Sequence, residues 1–159
     1  MITIRSITHE DQPRVRKFWV ERWGDEIIVA HGVAYHVDTM DGFLALDGKE
    51  IVGMITLAHS EEGCEIVSID SVHEEKGVGT SLLEAVIKAG REKGCQRLFL
   101  ITTNDNLPAL GFFQKRGFQL SALHRGAVNE SRKIKLSIPL TGHDNIPIRD
   151  ELELEMNLT

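Results

Sequence analysis

Two glycines, Gly77 and Gly79, lie between a β-branched run and an amphipathic helix pattern, and this context predicts a site for a phosphorylated ligand. Because glycine has no Cβ, the backbone at such a turn can approach a bulky anion closely. The start of the following helix adds unpaired N–H groups and the positive end of the helix dipole. Glycines at this spacing arise about once by chance in a chain of this composition, so the prediction depends on the order of strand, turn and helix.

Hydrophobic periodicity predicts the elements that must position this turn. In chain order they are a strand over 2–7, a helix over 9–22, strands over 43–46, 51–58 and 64–72, a helix over 78–93, a strand over 97–103, a helix from 106, and strands over 118–123 and 151–156. Periodicity is weak over 24–40, where we expect a loop and a short helix. The polar segment 124–149 is long for a connection, which favours a functional or partly helical excursion.

Two connections define the predicted sheet. The dipeptide Asp47-Gly48 separates two apolar runs, which predicts an antiparallel hairpin. The strand, helix, strand order over 64–103 implies a right-handed parallel crossover. Because ligands of open sheets bind beyond the carboxyl ends of parallel strands, the glycine turn lies where a ligand would bind.

The composition is typical of one globular domain over residues 1–159. The chain is 42% hydrophobic and 26% charged, and its length is sufficient to bury a core. Its apolar runs are well short of the ~20 residues of a membrane span, and its first residues lack the pattern of a signal peptide. We therefore expect a cytoplasmic protein with no membrane partner.

The charge balance argues against a nucleic-acid partner, because the net charge is −6 and the pI is about 5.6. An anionic ligand is still compatible with this charge, since backbone amides and a few cations hold phosphates locally and salt screens charges beyond about 10 Å. The two cysteines, Cys64 and Cys95, do not have metal-ligand spacing, so we expect reduced thiols and no metal site.

Two motifs together resemble the Gcn5-related N-acetyltransferase (GNAT) family. The first is Glu74-Glu75-Lys76-Gly77-Val78-Gly79, which is similar to the family's Arg/Gln-x-x-Gly-x-Gly/Ala. The second runs from Asn106 to Phe118 and is similar to Asn-x-x-Ala-x-x-x-Tyr-x-x-x-Gly-Phe. The element order also resembles the family's β-α-α-β-β-β-α-β-α-β-β fold, although 1–40 and 124–149 match loosely. The resemblance implies an α/β chain with a central mixed, mostly antiparallel sheet flanked by helices.

The resemblance implies acetyl-CoA as the cofactor, with its pyrophosphate on the amides of residues 75 to 80 and its thioester near Ile69. The N–H of Ile69 would then stabilise the developing oxyanion. For Asn106 a helix cap is the alternative role, and for Lys115 the alternative is a favourable charge in a last helical turn. The cofactor residues implied are Ile69, Ser71, Glu75, Lys76, Gly77, Val78, Gly79, Thr80, Asn104, Asn106, Ala109, Phe112, Phe113 and Lys115.

The chain departs from the family pattern at two positions. Glu74 replaces the motif's Arg or Gln and brings a carboxylate close to the expected pyrophosphate. Phe113 replaces the family's tyrosine, which usually protonates the departing thiolate, and its ring has no proton to give. That proton would have to come from water, from another residue such as Tyr35, or from no acid at all.

Asp70 and Glu65 are the candidate general bases, because they lie on the strand that would hold the thioester. They are five positions apart, so they face opposite sides of a regular strand, and only a β-bulge would bring them to one side. The alternative roles are a solvated charge for Glu65 and a turn cap for Asp70. His73, at the end of the strand, is a third candidate.

Arg22, Trp23 and Tyr35 are the candidate acceptor-binding residues. Aromatic faces next to one cation suit a substrate pocket, although core packing of the first helix is the alternative. Trp23 lies partly outside the apolar stripe of that helix, so it is the residue of this set that core packing explains least. Tyr35 is the chain's one tyrosine, and so its one phenol.

These features predict an N-acetyltransferase in which the amine of a small molecule or peptide attacks the thioester directly. The alternative is a non-catalytic acyl-CoA-binding module that senses or regulates, which the departures at Glu74 and Phe113 favour. A nucleotide-binding P-loop is a poor match, since no Gly-Lys-Ser/Thr follows the glycines. The acceptor and the oligomeric state stay open, and a homodimer is one assembly that fits.

Overall fold

The computed structural model describes residues 1–72 and 77–159. The strands of this part are Ile2–Ser6 (β1), Ile27–Ala30 (β2), Val33–His36 (β3), Asp41–Asp47 (β4), Glu50–Ser60 (β5), Gly63–Ser71 (β6), Arg97–Thr103 (β7), Gln119–His124 (β8) and Glu151–Asn157 (β9). The helices are Gln12–Trp23 (α1), Val78–Glu92 (α2), Leu107–Lys115 (α3) and Ala127–Ile134 (α4). Short 3-10 turns cover His9–Asp11, Val37–Thr39 and His143–Asn145.

Seven strands form one sheet in the order β1-β4-β5-β6-β7-β9-β8. Neighbouring strands in this sheet are antiparallel except β6 and β7. These two run parallel because helix α2 connects them as a crossover. The predicted turn at Asp47 and Gly48 joins β4 to β5. The predicted fold class, an α/β chain with a mixed and mostly antiparallel sheet flanked by helices, is confirmed.

Helices cover both faces of the sheet, and each face has its own apolar core. On the face that we call the α2 face, α2 packs through residues such as Leu82, together with side chains of α3. On the opposite face, the α1 face, α1 packs through the fully buried Trp19. A Cβ at Gly53 of β5 would lie 2.6 Å from Val78 Cγ1, so this glycine allows the start of α2 to lie close to the sheet.

The prediction of a loop and a short helix over 24–40 is wrong for most of that segment. The chain forms a β2–β3 hairpin whose two-residue turn is His31-Gly32. Both turn residues have positive φ, +41° for His31 and +76° for Gly32, which matches the geometry that tight hairpins require. Each strand has four residues, and the two form a separate two-stranded sheet. Segments this short do not show enough apolar alternation to predict a strand.

The C-terminal third combines a short helix with a one-sided strand. Helix α4 confirms that the segment 124–149 is partly helical. Along β9, the fully buried Leu154 faces the α2 core, so the alternating Glu151, Glu153 and Glu155 project from the α1 face. In the part of the chain that the structure describes, no helix is long and apolar enough to cross a membrane.

Candidate functional site

Strands β6 and β7 separate partway along their length. Their ladder covers Cys64, Glu65 and Ile66 of β6, although β6 continues to Ser71 and β7 to Thr103. A cleft of about 840 Å³ opens where they part, between the start of α2 and one side of α3. The sequence-predicted cofactor residues that line this cleft are Ile69, Ser71, Gly77, Gly79, Thr80, Asn106, Ala109, Phe112 and Phe113.

A β-bulge at Val67 changes the direction in which the second half of β6 faces. In the ladder with β5, Ile66 and Ser68 are paired with consecutive residues, so Val67 has no partner there. The bulge adds one residue to the strand. Glu65 and Asp70 therefore lie on the same face of the sheet, the α1 face, whereas a regular strand would have placed them on opposite faces.

The backbone beyond the bulge directs two N–H groups toward the cleft. Directly after β6, Val72 donates its N–H to the Val52 carbonyl of β5 at 2.8 Å. Backbone groups of alternate residues in a strand point to the same side, so the N–H of Asp70 also points to β5. The N–H groups of Ile69 and Ser71 then point to the open side, where β6 has left β7.

The first turn of α2 forms one end of the cleft. Gly77 precedes the helix with φ of +70°, and no described side chain caps the helix start. The side chain of Val78 is buried in the core, so this residue offers only its backbone to a ligand. A Cβ at Gly79 would lie 3.4 Å from the Phe112 ring. The turn thus presents uncapped N–H groups, which favour an anion.

Arg116 places a positive charge beside this turn. Its Nε donates to Thr80 Oγ1 at 3.0 Å and its Nη1 donates to the Phe112 carbonyl at 2.8 Å. The guanidinium also stacks on the Phe112 ring, 3.8 Å from the ring centroid. Arg116 lines the cleft, whereas its sequence neighbour Lys115, the predicted cofactor residue, is not among the described lining residues.

Asp70 also lines the cleft and contacts two residues of α1. The indole Nε1 of Trp23 donates to Asp70 Oδ2 at 2.8 Å, and Arg22 Nε is 3.9 Å from Oδ1. Arg22 also donates to the Ser71 carbonyl at 2.9 Å. Burial raises the pKa of Asp70, while the Trp23 hydrogen bond and the Arg22 charge act in the opposite direction. The pKa of this carboxyl group therefore lies above its ordinary value.

Glu65 belongs to a separate polar cluster beneath the β2–β3 hairpin. The Tyr35 hydroxyl donates to Glu65 Oε1 at 2.6 Å, and His31 Nε2 lies 3.0 Å from Oε2. Burial, followed by the neighbouring Glu65, raises the pKa of Tyr35 well above its usual range. The hydrogen bond to Glu65 raises the pKa of His31. Tyr35 and Glu65 are not among the described residues that line the cleft.

The two predicted asparagines have different roles. Asn106 caps α3, because its Oδ1 accepts the Ala109 N–H at 3.3 Å, and it also lines the cleft. Asn104 lies away from the described lining residues, and its Oδ1 accepts the N–H groups of Arg149 and Asp150 at 3.0 Å. Its side chain therefore anchors the segment before β9, a long-range contact that the motif could not indicate.

Several predicted residues, namely His73, Glu74, Glu75 and Lys76, lie outside the described residues. Other functional candidates were not assigned by the sequence. His143 lines the cleft from the segment before β9, where Asp105 Oδ2 accepts its N–H at 3.2 Å. Arg116, the sequence neighbour of the predicted Lys115, also lines the cleft. No local sequence signal marked His143, because long-range contacts bring its segment to the cleft.

Comparison with known families agrees with the fold and the cleft. Residues 4–118 match the acetyltransferase (GNAT) family model, so the chain belongs to this family. It is 47% identical to the uncharacterized protein YxbD of Bacillus subtilis (strain 168) over 145 residues, which cover 91% of each chain.

Solved structures show the same architecture. An IAA acetyltransferase from Bacillus cereus ATCC 14579 superposes with a TM-score of 0.78 at 21% identity, over 99% of each chain. A GNAT family acetyltransferase from Elizabethkingia anophelis with acetyl-CoA bound superposes with a TM-score of 0.71 at 22% identity, over 98% of this chain and 97% of that one. At these identities the likeness shows the fold of this chain, and the bound acetyl-CoA is a property of that neighbour.

Proposed function

We propose that the protein is an acetyl-CoA-dependent N-acetyltransferase that transfers an acetyl group to an amine acceptor. The observation that carries this proposal is the separation of β6 from β7, which opens a cleft onto the uncapped start of α2. The acetyl-CoA-bound relative described above supports the choice of cofactor. The acidic charge and the family are consistent with a cytoplasmic protein and with an amine, rather than a nucleic acid, as its partner.

The start of α2 fits the pyrophosphate of the cofactor. Its first N–H groups, at Val78, Gly79 and Thr80, lack side-chain caps in the described part of the chain, and Arg116 adds a cation beside Thr80. Backbone donors, the helix dipole and a guanidinium together favour a diphosphate. The residues 75 and 76, which we also assign to this contact, precede the turn.

The middle of the cleft fits the pantetheine arm and the reacting group. When bound, acetyl-CoA supplies a thioester carbonyl that an amine can attack. Phe112 and Phe113 offer an apolar wall, while the Ile69 N–H points to the open side of β6. We assign the oxyanion contact to this N–H, because a fixed backbone donor stabilises developing negative charge without reorganising.

Asp70 is the general base in this proposal. Its carboxyl group lines the cleft one residue from Ile69, and it would take the proton of the acceptor ammonium, directly or through water. Its raised pKa suits this task, because a base works best when its pKa lies near the working pH. Glu65 is less suited, since the hydroxyl of Tyr35 and the ring of His31 already contact both of its oxygens.

Among the described residues, neither Phe113 nor Tyr35 is suited to protonate the departing thiolate. Phe113 lacks a hydroxyl, and Tyr35 holds its proton firmly, since its pKa is raised and its hydroxyl donates to Glu65. We therefore assign protonation of the thiolate to solvent. The same absence of a phenol at Phe113 favours the second candidate function, a non-catalytic acyl-CoA-binding sensor.

Thiol release separates the two functions. The purified protein is incubated with acetyl-CoA and a panel of amines, polyamines, aminoglycosides, amino acids and peptides, and free CoA thiol is measured with and without each acceptor. We expect acceptor-dependent release for at least one class. If acetyl-CoA binds tightly by calorimetry but no acceptor class releases thiol, the protein is a non-catalytic acyl-CoA-binding sensor with respect to the acceptors tested.

A further inference from the structure

Glu151, at the start of β9, has a buried carboxylate oxygen without a partner. The residue is only 3% exposed. Its Oε2 accepts the N–H of His31 at 2.8 Å, whereas its Oε1 has no hydrogen-bond partner among the described residues. A buried carboxylate oxygen costs free energy unless a donor completes its hydrogen bonding. We therefore expect a further donor at this oxygen.

The local charge indicates that this donor is a cation. His31 lies between two carboxylates, since its backbone contacts Glu151 and its ring lies 3.0 Å from Glu65 Oε2. Arg97 forms ion pairs with Glu153 and Glu155, the other two glutamates on this face of β9. Two carboxylates around one imidazole carry net negative charge whether or not His31 is protonated, and a positively charged ligand would neutralise it.

The register of the sheet places this cluster within reach of the reacting centre. In the parallel ladder Glu65 is opposite Phe99. Because the bulge removes one step, Ile69 lies within one residue of the level of Thr103. Thr103 is paired with Glu151, so Glu151 lies within about one residue of the level of Ile69 and two strands away. Two usual strand spacings are roughly 10 Å, and because β6 and β7 part beyond Ile66 this distance is a lower bound.

We propose that the acceptor carries a second cationic group, which binds at Glu151 and Glu65 while its reacting amine lies near Ile69. This inference rests on the proposed N-acetyltransferase function. Long α,ω-diamines and polyamines have this chemistry, since their ammonium groups can lie two strand spacings or more apart, at least roughly 10 Å. An organic cation suits the cluster better than a metal ion, because the described residues include no group of three metal-ligating side chains.

The test compares 1,7-diaminoheptane with 1-aminoheptane, which lacks the second ammonium, and with 1,3-diaminopropane, which is too short to reach both places. CoA release gives kcat and KM for each amine. We expect kcat/KM for diaminoheptane to exceed that of the other two by about tenfold or more. Equal values for the three amines would overturn the inference while leaving the acetyltransferase function intact.

The variant Glu151→Gln keeps the shape of the side chain and removes its charge. We expect it to raise KM for diaminoheptane about tenfold and to leave aminoheptane unchanged. Glu155→Gln, on the same strand and face but paired with Arg97, is the matched control and should change neither. If Glu151→Gln does not fold, Glu151→Asp is the second variant. It keeps the negative charge but moves the carboxylate away from the ligand, so it should raise KM for diaminoheptane and not for aminoheptane. Equal effects on both amines would contradict the inference.

Direct binding keeps this inference separate from catalysis. Calorimetry with diaminoheptane alone should give binding to the parent protein and about tenfold weaker binding to Glu151→Gln. If no amine releases CoA thiol but this difference is present, the acetyltransferase function fails and the cationic site stands. If thiol is released and the difference is absent, the site fails and the function stands.

Discussion

Glu65 and Asp70 lie on the same face of β6 although they are five positions apart, because the bulge at Val67 shifts the pleat by one residue. Their surroundings differ. Both carboxylate oxygens of Glu65 contact the β2–β3 hairpin. The carboxylate of Asp70 instead lines the cleft, and among the described side chains it contacts only those at the end of α1. This difference is the basis on which we propose Asp70 as the general base and the cluster around Glu65 as the cation site.

Asp70→Asn should lower kcat/KM by about 10²-fold at neutral pH, the usual scale for a general base, with little change in CoA affinity. Asp47→Asn, at the exposed end of β4, is the control for a lost carboxylate. A large loss in Glu65→Gln together with a small loss in Asp70→Asn would move the base to Glu65.

Trp23→Phe removes the hydrogen bond that favours the ionised form of Asp70. The pKa of Asp70, already raised by burial, should rise further. Because the base works only when ionised, the acidic limb of the kcat/KM profile should move to higher pH, and the loss should be greatest at low pH. An equal loss at every pH would show that Trp23 contributes contact area alone.

Local signals were sufficient to predict most of the fold and one end of the site. The glycine turn before α2 and the Asp47-Gly48 turn are formed by adjacent residues, so their sequence carries the information. The bulge at Val67 depends on pairing with β5, and the contact between His31 and Glu151 joins residues that are 120 positions apart. Such long-range relationships leave no periodic signal in one sequence.

The contact between the His31 ring and Glu65 should make the stability of the protein depend on pH. The pKa of His31 is raised in the folded state, so protonated His31 contributes fully below its unfolded value, near 6.5. This contribution is lost as the pH rises through the higher folded value. Urea unfolding between pH 5 and 9 should show that His31→Gln removes about 1 kcal/mol of stability at low pH and less at high pH.

His36→Gln is the control for the His31 variant, because His36 lies exposed on β3 of the same hairpin. At low pH its loss of stability should be smaller than that of His31→Gln, because His36 has no ion pair among the described residues. A His31→Gln difference that stays the same across this pH range would contradict the charged contact with Glu65.

Phe113→Tyr restores a phenol at the position where the family usually has one. If thiolate departure limits turnover, the added hydroxyl should raise kcat by up to about 10²-fold. Phe113 is 3% exposed and packs edge-on against Phe112 and Phe118, so an unpaired hydroxyl would cost roughly 1–3 kcal/mol of stability. Thiol release and thermal unfolding of the same preparation separate these effects.

Tyr35→Phe is the companion variant, and the account predicts that its thiol release survives. A loss of kcat in Tyr35→Phe that Phe113→Tyr restores would instead identify Tyr35 as the acid.

Calorimetric titration of CoA into the parent protein and Gly79→Asp tests the central assignment most directly. The new carboxylate would add bulk against Phe112 and negative charge where the pyrophosphate must approach. Gly111→Asp, in α3 with open space at its Cβ, introduces the same charge away from the turn. We predict that Gly79→Asp abolishes CoA binding while Gly111→Asp retains it. Binding to Gly79→Asp as tight as to the parent would contradict this account of the cleft.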